Sequence, residues 1–220
     1  MKNRYIKYVI FDFDGTLADS GEIGFRAMNE MAKKHGFKTL EWSETEKIRQ
    51  MNLRERSKYM GVPLIKAPVM AQEFYVYYKE HMGEMNLNSG IPELLENLHA
   101  KGYEVAVISS NDEGNIREFF GKKEIDIDDI LCSSHLFSKD RIITKFLKQK
   151  KLLSSEVLYI GDETRDISAC KRAKVKIVWV DWGLDVRENA EKFSPDYMIS
   201  HPSEIEKILE KLESDNENQS

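Results

Sequence analysis

Four short apolar runs constrain the possible folds of this chain more than any other feature of its sequence. They span residues 8–11, 105–108, 157–160 and 177–180, and each is followed within two residues by a polar or acidic side chain. A weaker run of the same kind occupies Ile130–Cys132. Short runs that are apolar at every position are typical of strands buried on both faces, as in a parallel sheet.

Helical patterns lie between these runs. The segment Ile91–Lys101 has Pro92 near its start and Gly102 just past its end, the usual placement of these residues around a helix. Three further segments have helical patterns: Glu113–Phe120, Asp140–Lys150 and Arg165–Lys174. Strands and helices therefore alternate from about residue 90 to residue 200. This order predicts an α/β fold with a doubly wound parallel sheet, similar to a Rossmann fold.

The stretch 18–88 breaks this alternation. Apolar residues recur there at helical spacing, the segment Val69–Met82 has a helical pattern, and no strand pattern stands out. We therefore predict two domains. An α/β core is made of residues 1–17 and 89–220, and an all-helical domain is inserted between those two parts.

The C-terminal segment is predicted to form an amphipathic helix over Ser203–Leu212, followed by a frayed polar tail from Glu213 onwards. Residues 203–220 hold six acids and two lysines, so they carry −4 of the chain's net charge of −5. A net acidic chain argues against a general nucleic-acid or anionic-membrane binder, which would usually have a basic surface.

The sequence contains no sign of a membrane or export segment. No apolar run reaches the ~18 residues of a membrane span. The apolar stretch after Lys2, Arg4 and Lys7 reaches Asp12 too soon for a signal peptide. Two cysteines in 220 residues do not form a disulfide framework. We expect a cytoplasmic protein, either a monomer or a homodimer, with no nucleic-acid or membrane partner.

Polar residues that can take part in catalysis or ligand binding follow three of the predicted strands: Asp12 and Asp14, Ser109 and Ser110, and Asp162 with Asp166. Ligands of a doubly wound sheet bind beyond the carboxyl ends of its strands. Carboxylates gathered there repel one another and need a hard cation, and oxygen ligands of this kind suit Mg²⁺. Hydroxyls and the ammonium of Lys139, which begins a helix between the second and third of these strands, suit a phosphate.

The run Asp12-Phe13-Asp14-Gly15-Thr16-Leu17 resembles the first motif of the haloacid dehalogenase-like hydrolases. The other features follow in the order of that family: a serine after the second strand, a lysine, and the motif Gly161-Asp162-Glu163-Thr164-Arg165-Asp166. The resemblance extends over about residues 5–200 and includes a helical cap inserted after the first motif. Within the family the chain is similar to the phosphoglycolate phosphatase-like branch. It implies a Mg²⁺-dependent phosphatase that hydrolyses a small phosphorylated metabolite.

The resemblance also implies a role for each residue. Asp12 is the expected nucleophile, which forms an aspartyl-phosphate intermediate. Asp14 is the expected general acid and base. Asp12, the backbone carbonyl of Asp14, and Asp162 are the expected Mg²⁺ ligands.

Five further residues have expected binding or supporting roles. The hydroxyl of Ser109 and the amide of Ser110 are expected to bind the phosphoryl oxygens, and Lys139 to balance the charge of nucleophile and phosphate. Thr16 is a supporting residue. Asp166 either supports the metal ligands or orients Lys139.

Structural alternatives exist for several of these residues. Asp12 and Asp14 are also suited to a turn at a strand end, and either serine is suited to capping the next helix. Asp166 is also suited to an exposed position at a helix start, where the helix dipole favours an acid.

The identity of the motif lysine is open between Lys139 and Lys145. The family often has a proline just after this lysine or a glycine just before it, whereas Asp140 follows Lys139 here and Ser138 precedes it.

The residues at the second position of the first motif distinguish between other activities of the family. Dehalogenases of the family lack the second aspartate, and phosphonate-cleaving members have a small residue there, so Asp14 disfavours both. A sugar-phosphate mutase keeps both aspartates and remains an alternative, as does a non-catalytic phosphate-sensing or protein-binding relative. A basic stretch of the insert contains Arg49, Arg54, Arg56 and Lys58. We hypothesise that Arg54 or a neighbour contacts a second anionic group of the substrate, a solvated surface being the alternative.

Overall fold

Six short strands form one sheet in the computed structural model, which describes residues 5–51, 53–132 and 139–217. The strands are β1 (Tyr8–Phe11), β2 (Glu104–Ser109), β3 (Asp129–Cys132), β4 (Val157–Gly161), β5 (Lys176–Val180) and β6 (Tyr197–Ile199). All neighbouring strands are parallel, in the order β3-β2-β1-β4-β5-β6. The predicted doubly wound parallel sheet is confirmed.

The described residues form ten α-helices: α1 (Gly21–His35), α2 (Thr45–Arg49), α3 (Leu53–Met60), α4 (Ala67–His81), α5 (Ile91–Ala100), α6 (Glu113–Lys122), α7 (Lys139–Lys150), α8 (Thr164–Ala173), α9 (Arg187–Glu191) and α10 (Glu204–Glu217). The helices predicted between the strands all occur, with bounds within two residues of the expected ones.

The sheet is covered on both faces, as its apolar strands predict. Successive side chains of a strand point to opposite faces. Val9 and Phe11 of β1 pack in one cluster with α5, α6 and α10, whereas Tyr8 and Ile10 pack in another with α7, α8 and α9. Burial on both faces explains why these strands are apolar at every position.

We call residues 21–84 the helical segment. It contains α1 to α4 and short 3₁₀ turns. The chain leaves and re-enters the sheet region at adjacent positions. Ala18 forms an isolated antiparallel bridge with Leu87, and the Asn88 amide donates to the Leu17 carbonyl at 2.8 Å. The segment is therefore joined to the sheet by two neighbouring stretches of chain.

Two elements differ from the sequence expectation. The strand β6 was not expected, because Tyr197–Ile199 is only three residues long and only Ile199 is buried. The prediction of a frayed tail is wrong for residues 213–217, because α10 continues to Glu217. The termini of the predicted core, residues 1–4 and 218–220, lie outside the described residues. Among the residues that are described, no helix is both long and apolar enough to cross a membrane.

Candidate active site

The carboxyl ends of β1 and β4 bring two predicted site residues together where the strand order reverses. Just beyond β1, the Asp12 amide donates to the Ile160 carbonyl at 2.9 Å, which holds Asp12 beside the end of β4. Carboxylate oxygens of Asp12, Asp162 and Asp166 lie within 4.8 Å of one another, and all three residues are buried. The three carboxylates therefore lie at the point where the strand order reverses, which is where doubly wound sheets bind their ligands.

Lys139, at the start of α7, lies between two of these carboxylates. Its Nζ is 2.6 Å from Asp12 Oδ2 and 2.5 Å from Asp166 Oδ1, and the side chain is 3% exposed. Burial by itself lowers the pKa of Lys139, but the charges of Asp12 and Asp166 outweigh it and raise the pKa. Lys145 lies on the exposed side of α7. Ser138, which precedes Lys139, lies outside the described residues.

Asp162 is fully buried and held by two donors. The Thr16 hydroxyl donates to Oδ1 and the Leu184 amide to Oδ2, each at 2.7 Å. Gly15 has a φ of +78°, and a Cβ at that position would lie 2.5 Å from Asp162 Oδ2, so the turn after β1 requires glycine. Burial and the nearby carboxylates, Glu163 foremost, raise the pKa of Asp162 well above its ordinary value.

The Asp14 carboxyl lies between donors from two parts of the chain. The Tyr78 hydroxyl of α4 donates to Oδ1, and Asn111 Nδ2 donates to Oδ2 at 2.9 Å. Burial and the charge of Asp12 raise the pKa of Asp14 to about 6, although both hydrogen bonds lower it. A carboxyl with this pKa exchanges a proton readily near neutral pH.

The two predicted serines lie at and just after the end of β2. Ser109 is buried, and its Oγ accepts a hydrogen bond from the Asn111 amide at 3.1 Å. The alternative that either serine caps the next helix is wrong. Asp112 is the N-cap of α6, and its carboxylate accepts from the Asn115 amide at 3.2 Å.

The alternative of an exposed Asp166 is also wrong, because this residue is fully buried in the first turn of α8. Its two oxygens contact Lys139 Nζ and, at 3.3 Å, the Glu163 amide. The Asp166 carboxylate therefore links Lys139 of α7 to the start of α8.

Comparison with known proteins identifies the family. The family described as haloacid dehalogenase-like hydrolase matches residues 9–180. The chain belongs to this family. Its fold is that of a hydrolase of this kind, and its relatives place the enzyme among the phosphatases, in the phosphoglycolate phosphatase-like branch.

Two curated relatives align over nearly the full length of both chains. A phosphoglycolate phosphatase from Synechococcus elongatus is 25% identical over 206 residues, which is 93% of this chain and 97% of the relative. An N-acetylmuramic acid 6-phosphate phosphatase from Pseudomonas aeruginosa is 26% identical over 222 residues, covering 96% and 98%. The crystal structure of a "predicted phosphatase" from Clostridium acetobutylicum superimposes with a TM-score of 0.81 at 23% identity, covering 94% and 100%.

Four groups around the site of this hydrolase were not predicted from its sequence. Asn111 directly follows the two predicted serines, so its position beside the strand end was available from the sequence. Arg165, inside the last motif, donates to Ser110 Oγ at 3.4 Å. Tyr78 and the Leu184 amide had no such signal, because they come from elements far away in sequence or from backbone.

The donor set fits the divalent cation that phosphatases of this family generally use. Three buried carboxylates, those of Asp12, Asp162 and Asp166, face a single ammonium, that of Lys139. In their ionised forms this leaves a formal surplus of two negative charges in a buried site. Oxygen donors with such a surplus suit a hard divalent ion.

Proposed function

We propose that this hydrolase is a Mg²⁺-dependent phosphatase of small phosphomonoesters that acts through an aspartyl-phosphate intermediate. One observation carries the proposal. The buried Asp12 carboxylate lies at the strand end next to the Lys139 ammonium and the Asp162 carboxylate, and Asp14 follows two residues later. The names of the two curated relatives described above, both phosphatases of small phosphate esters, support it.

In the first step, a carboxylate oxygen of Asp12 attacks phosphorus, and the bond from phosphorus to the leaving-group oxygen breaks. The Asp14 carboxyl donates its proton to that oxygen, so the leaving group departs as a neutral alcohol. Lys139 remains protonated beside Asp12 and offsets the negative charge of the phosphoryl group. Ser109 is proposed to donate its hydroxyl hydrogen to a phosphoryl oxygen, with the Ser110 amide beside it.

In the second step, Asp14 acts as a base. Its carboxylate takes a proton from water, the water oxygen attacks phosphorus, and the acyl–phosphate bond breaks. Inorganic phosphate leaves and the Asp12 carboxylate is regenerated. A pKa of about 6 suits Asp14 to both roles, because neither its acid nor its base form is rare near neutral pH.

Asp12, Asp162 and the backbone carbonyl of Asp14 are proposed to hold Mg²⁺, with Thr16 supporting Asp162 and Asp166 orienting Lys139. When bound, the ion supplies charge that shields the nucleophile from the anionic phosphate and polarises the phosphoryl oxygens.

Residues 18–88 are proposed to form a cap domain that covers the site and selects the substrate, with residues 1–17 and 89–220 as the core. Caps of this kind exclude water and present residues to the leaving group. Arg54 of α3 is exposed and remains the proposed contact for a second anionic group. Phosphoglycolate, which is the substrate in the name of one relative, is an ester with two anionic groups, a phosphate and a carboxylate.

We also propose a cytoplasmic location.

The proposal is tested by hydrolysis of p-nitrophenyl phosphate with Mg²⁺. We expect Asp12→Asn to lower kcat/KM by about 10³-fold or more, because the covalent nucleophile is lost. The matched control is Asp126→Asn, since Asp126 is an exposed aspartate of the α6–β3 connection, and it should keep wild-type activity.

Two outcomes would contradict the proposal. Absence of Asp12-dependent phosphate release from every phosphomonoester in a substrate panel would favour a non-catalytic binding protein. Transfer of phosphate along a hexose 1-phosphate, with none released into water, would favour the mutase.

A further inference from the structure

The turn after β5 contacts the candidate active site on one of its sides. We call residues 183–185 the β5 turn. The Leu184 amide donates to Asp162 Oδ2 at 2.7 Å. Asp185 Oδ2 accepts from the amide of Thr164 at 2.8 Å and from its hydroxyl at 3.0 Å, and Thr164 is the first residue of α8. The turn therefore binds both Asp162 and the start of the helix that carries Asp166.

The backbone of the β5 turn lies directly against Asp162. A Cβ at Gly183 would lie 2.1 Å from Asp162 Cβ and 2.3 Å from its Oδ2, distances at which no side chain fits. A displacement of the turn must therefore change the position of the Asp162 carboxylate or remove its hydrogen bond to Leu184.

Arginines of the helical segment hold the opposite side of the β5 turn. Arg49, the last residue of α2, donates from Nη2 to the Gly183 carbonyl at 2.8 Å and from Nε to the Leu184 carbonyl at 3.2 Å. Arg56 of α3 donates from Nη2 to Asp185 Oδ1 at 3.1 Å. The two oxygens of the Asp185 carboxylate thus bind different parts of the molecule, one the helical segment and the other α8.

Arg56 is itself held in place by the end of α2. Its Nε donates to the carbonyls of Ile48 and Met51 at 3.0 and 2.8 Å, and its Nη2 to the Arg49 carbonyl at 3.2 Å. The guanidinium therefore joins α2, α3 and the β5 turn in one hydrogen-bonded unit. Since a guanidinium offers several donors in a fixed planar arrangement, such a unit defines the position of the turn.

We propose that Arg49 and Asp185 are positioning residues for Asp162: docking of the helical segment on the β5 turn orients the Asp162 carboxylate and thereby raises the affinity of the site for a divalent cation. The inference rests on the proposed function, in which Asp162 is a ligand of the ion. It adds that ion binding and docking favour each other, because a coupling between two equilibria is reciprocal.

The test measures ion affinity directly. Mn²⁺ is titrated into the full-length protein and the free ion is quantified by electron paramagnetic resonance. We expect Arg49→Ala to raise the Kd for Mn²⁺ about tenfold, the lower range seen when a residue that orients a metal ligand is removed. The matched control is Arg26→Ala. This substitution also removes an arginine ion pair of the helical segment, the one with Glu84 at 2.6 Å, but Arg26 lies on α1 rather than at the β5 turn. Its Kd should stay within about twofold of wild type.

The same titration of Asp162→Asn separates the inference from the proposed function. If Asp162→Asn loses Mn²⁺ while Arg49→Ala binds it as tightly as Arg26→Ala, the coupling is overturned and the metal site stands. If Asp162→Asn binds Mn²⁺ like the wild type, both the metal assignment and the coupling are overturned.

A change of fold is excluded by the far-ultraviolet circular dichroism and Tm of each variant. If Arg49→Ala does not fold, Asp185→Asn carries the test with the same expectation. This variant loses the charge that binds Arg56 and Thr164 but keeps the size of the side chain. A Kd equal to that of Arg26→Ala in the folded Asp185→Asn variant overturns the coupling.

Discussion

The Asp14 carboxyl illustrates how single residues set the chemistry of this site. Burial raises its pKa to about 6, while hydrogen bonds from Tyr78 and Asn111 hold it below the value that burial alone would give. Asn111 lies just after the end of β2, whereas Tyr78 is in the helical segment. The proton affinity of the proposed general acid therefore depends on a residue outside the sheet region.

Replacement of Tyr78 by Phe is expected to raise the pKa of Asp14, because it removes a donor that stabilises the carboxylate. A hydrogen bond to a charged group contributes about 1.5 kcal/mol, and about 1.4 kcal/mol corresponds to one pH unit. With an alkyl phosphomonoester, whose leaving group must be protonated, the alkaline limb of kcat/KM should therefore move up by about one pH unit.

The control for this measurement is Tyr77→Phe. Tyr77 precedes Tyr78 in α4, and its ring stacks on His81 at a centroid distance of 4.0 Å. Its pH profile should match that of the wild type at the same saturating Mg²⁺ concentration. An unshifted alkaline limb in Tyr78→Phe would show that this hydroxyl does not control the proton of Asp14.

At the scale of elements, the C-terminal helix shows why a polar segment need not be frayed. Glu213 lies in the last part of α10, and its carboxylate accepts from the amides of Tyr5 and Ile6 at 2.9 and 3.1 Å. These amides precede β1 and lie outside the strand itself. Glu213 therefore ties α10 to the stretch that leads into the central strand.

Replacement of Glu213 by Ala is expected to lower the free energy of unfolding by about 1–3 kcal/mol, since two partly buried amides lose their acceptor. Urea denaturation measures the change. Glu217→Ala is the matched control, because Glu217 is an exposed acid one turn further along the same helix. Equal stability of the two variants would contradict the structural role of Glu213.

For the molecule as a whole, the gathered carboxylates couple ion binding to stability. Burial, followed by nearby acids, raises the pKa of Asp162, so the ion-free folded chain keeps this proton at a pH where the unfolded chain has lost it. Unfolded aspartates ionise near about pH 3.9. The contribution of Asp162 to stability therefore falls as the pH rises above that value, unless a cation replaces the proton.

We expect Mg²⁺ to raise the Tm, and to raise it more at pH 8 than at pH 5, because protons compete with the ion for Asp162. At an ion concentration of 100 times Kd the stabilisation is about 2.7 kcal/mol. Differential scanning calorimetry with and without chelator measures it, and Asp162→Asn should abolish the increment. An increment of equal size at the two pH values would contradict the role of Asp162 as an ion ligand.

The sequence by itself determined the sheet and most of the strand-end residues. Strands buried on both faces must be apolar at each position, and parallel strands place the residues that follow them at one edge, so the position of Asp12 and Asp162 at the same edge of the sheet followed from pattern alone. The three-residue β6 carried too little pattern to be recognised.

Only the tertiary structure decided the contacts of Asp14 and Asp162 with more distant parts of the chain. Tyr78 lies 64 residues from Asp14, and its contact depends on how α4 docks. The Leu184 amide that binds Asp162 is a backbone group, which has the same chemistry at every residue and leaves no trace in the sequence. Hydrophobic periodicity fixes the buried face of an element, whereas the docking of one element on another is decided by side-chain packing and hydrogen bonds across the whole molecule.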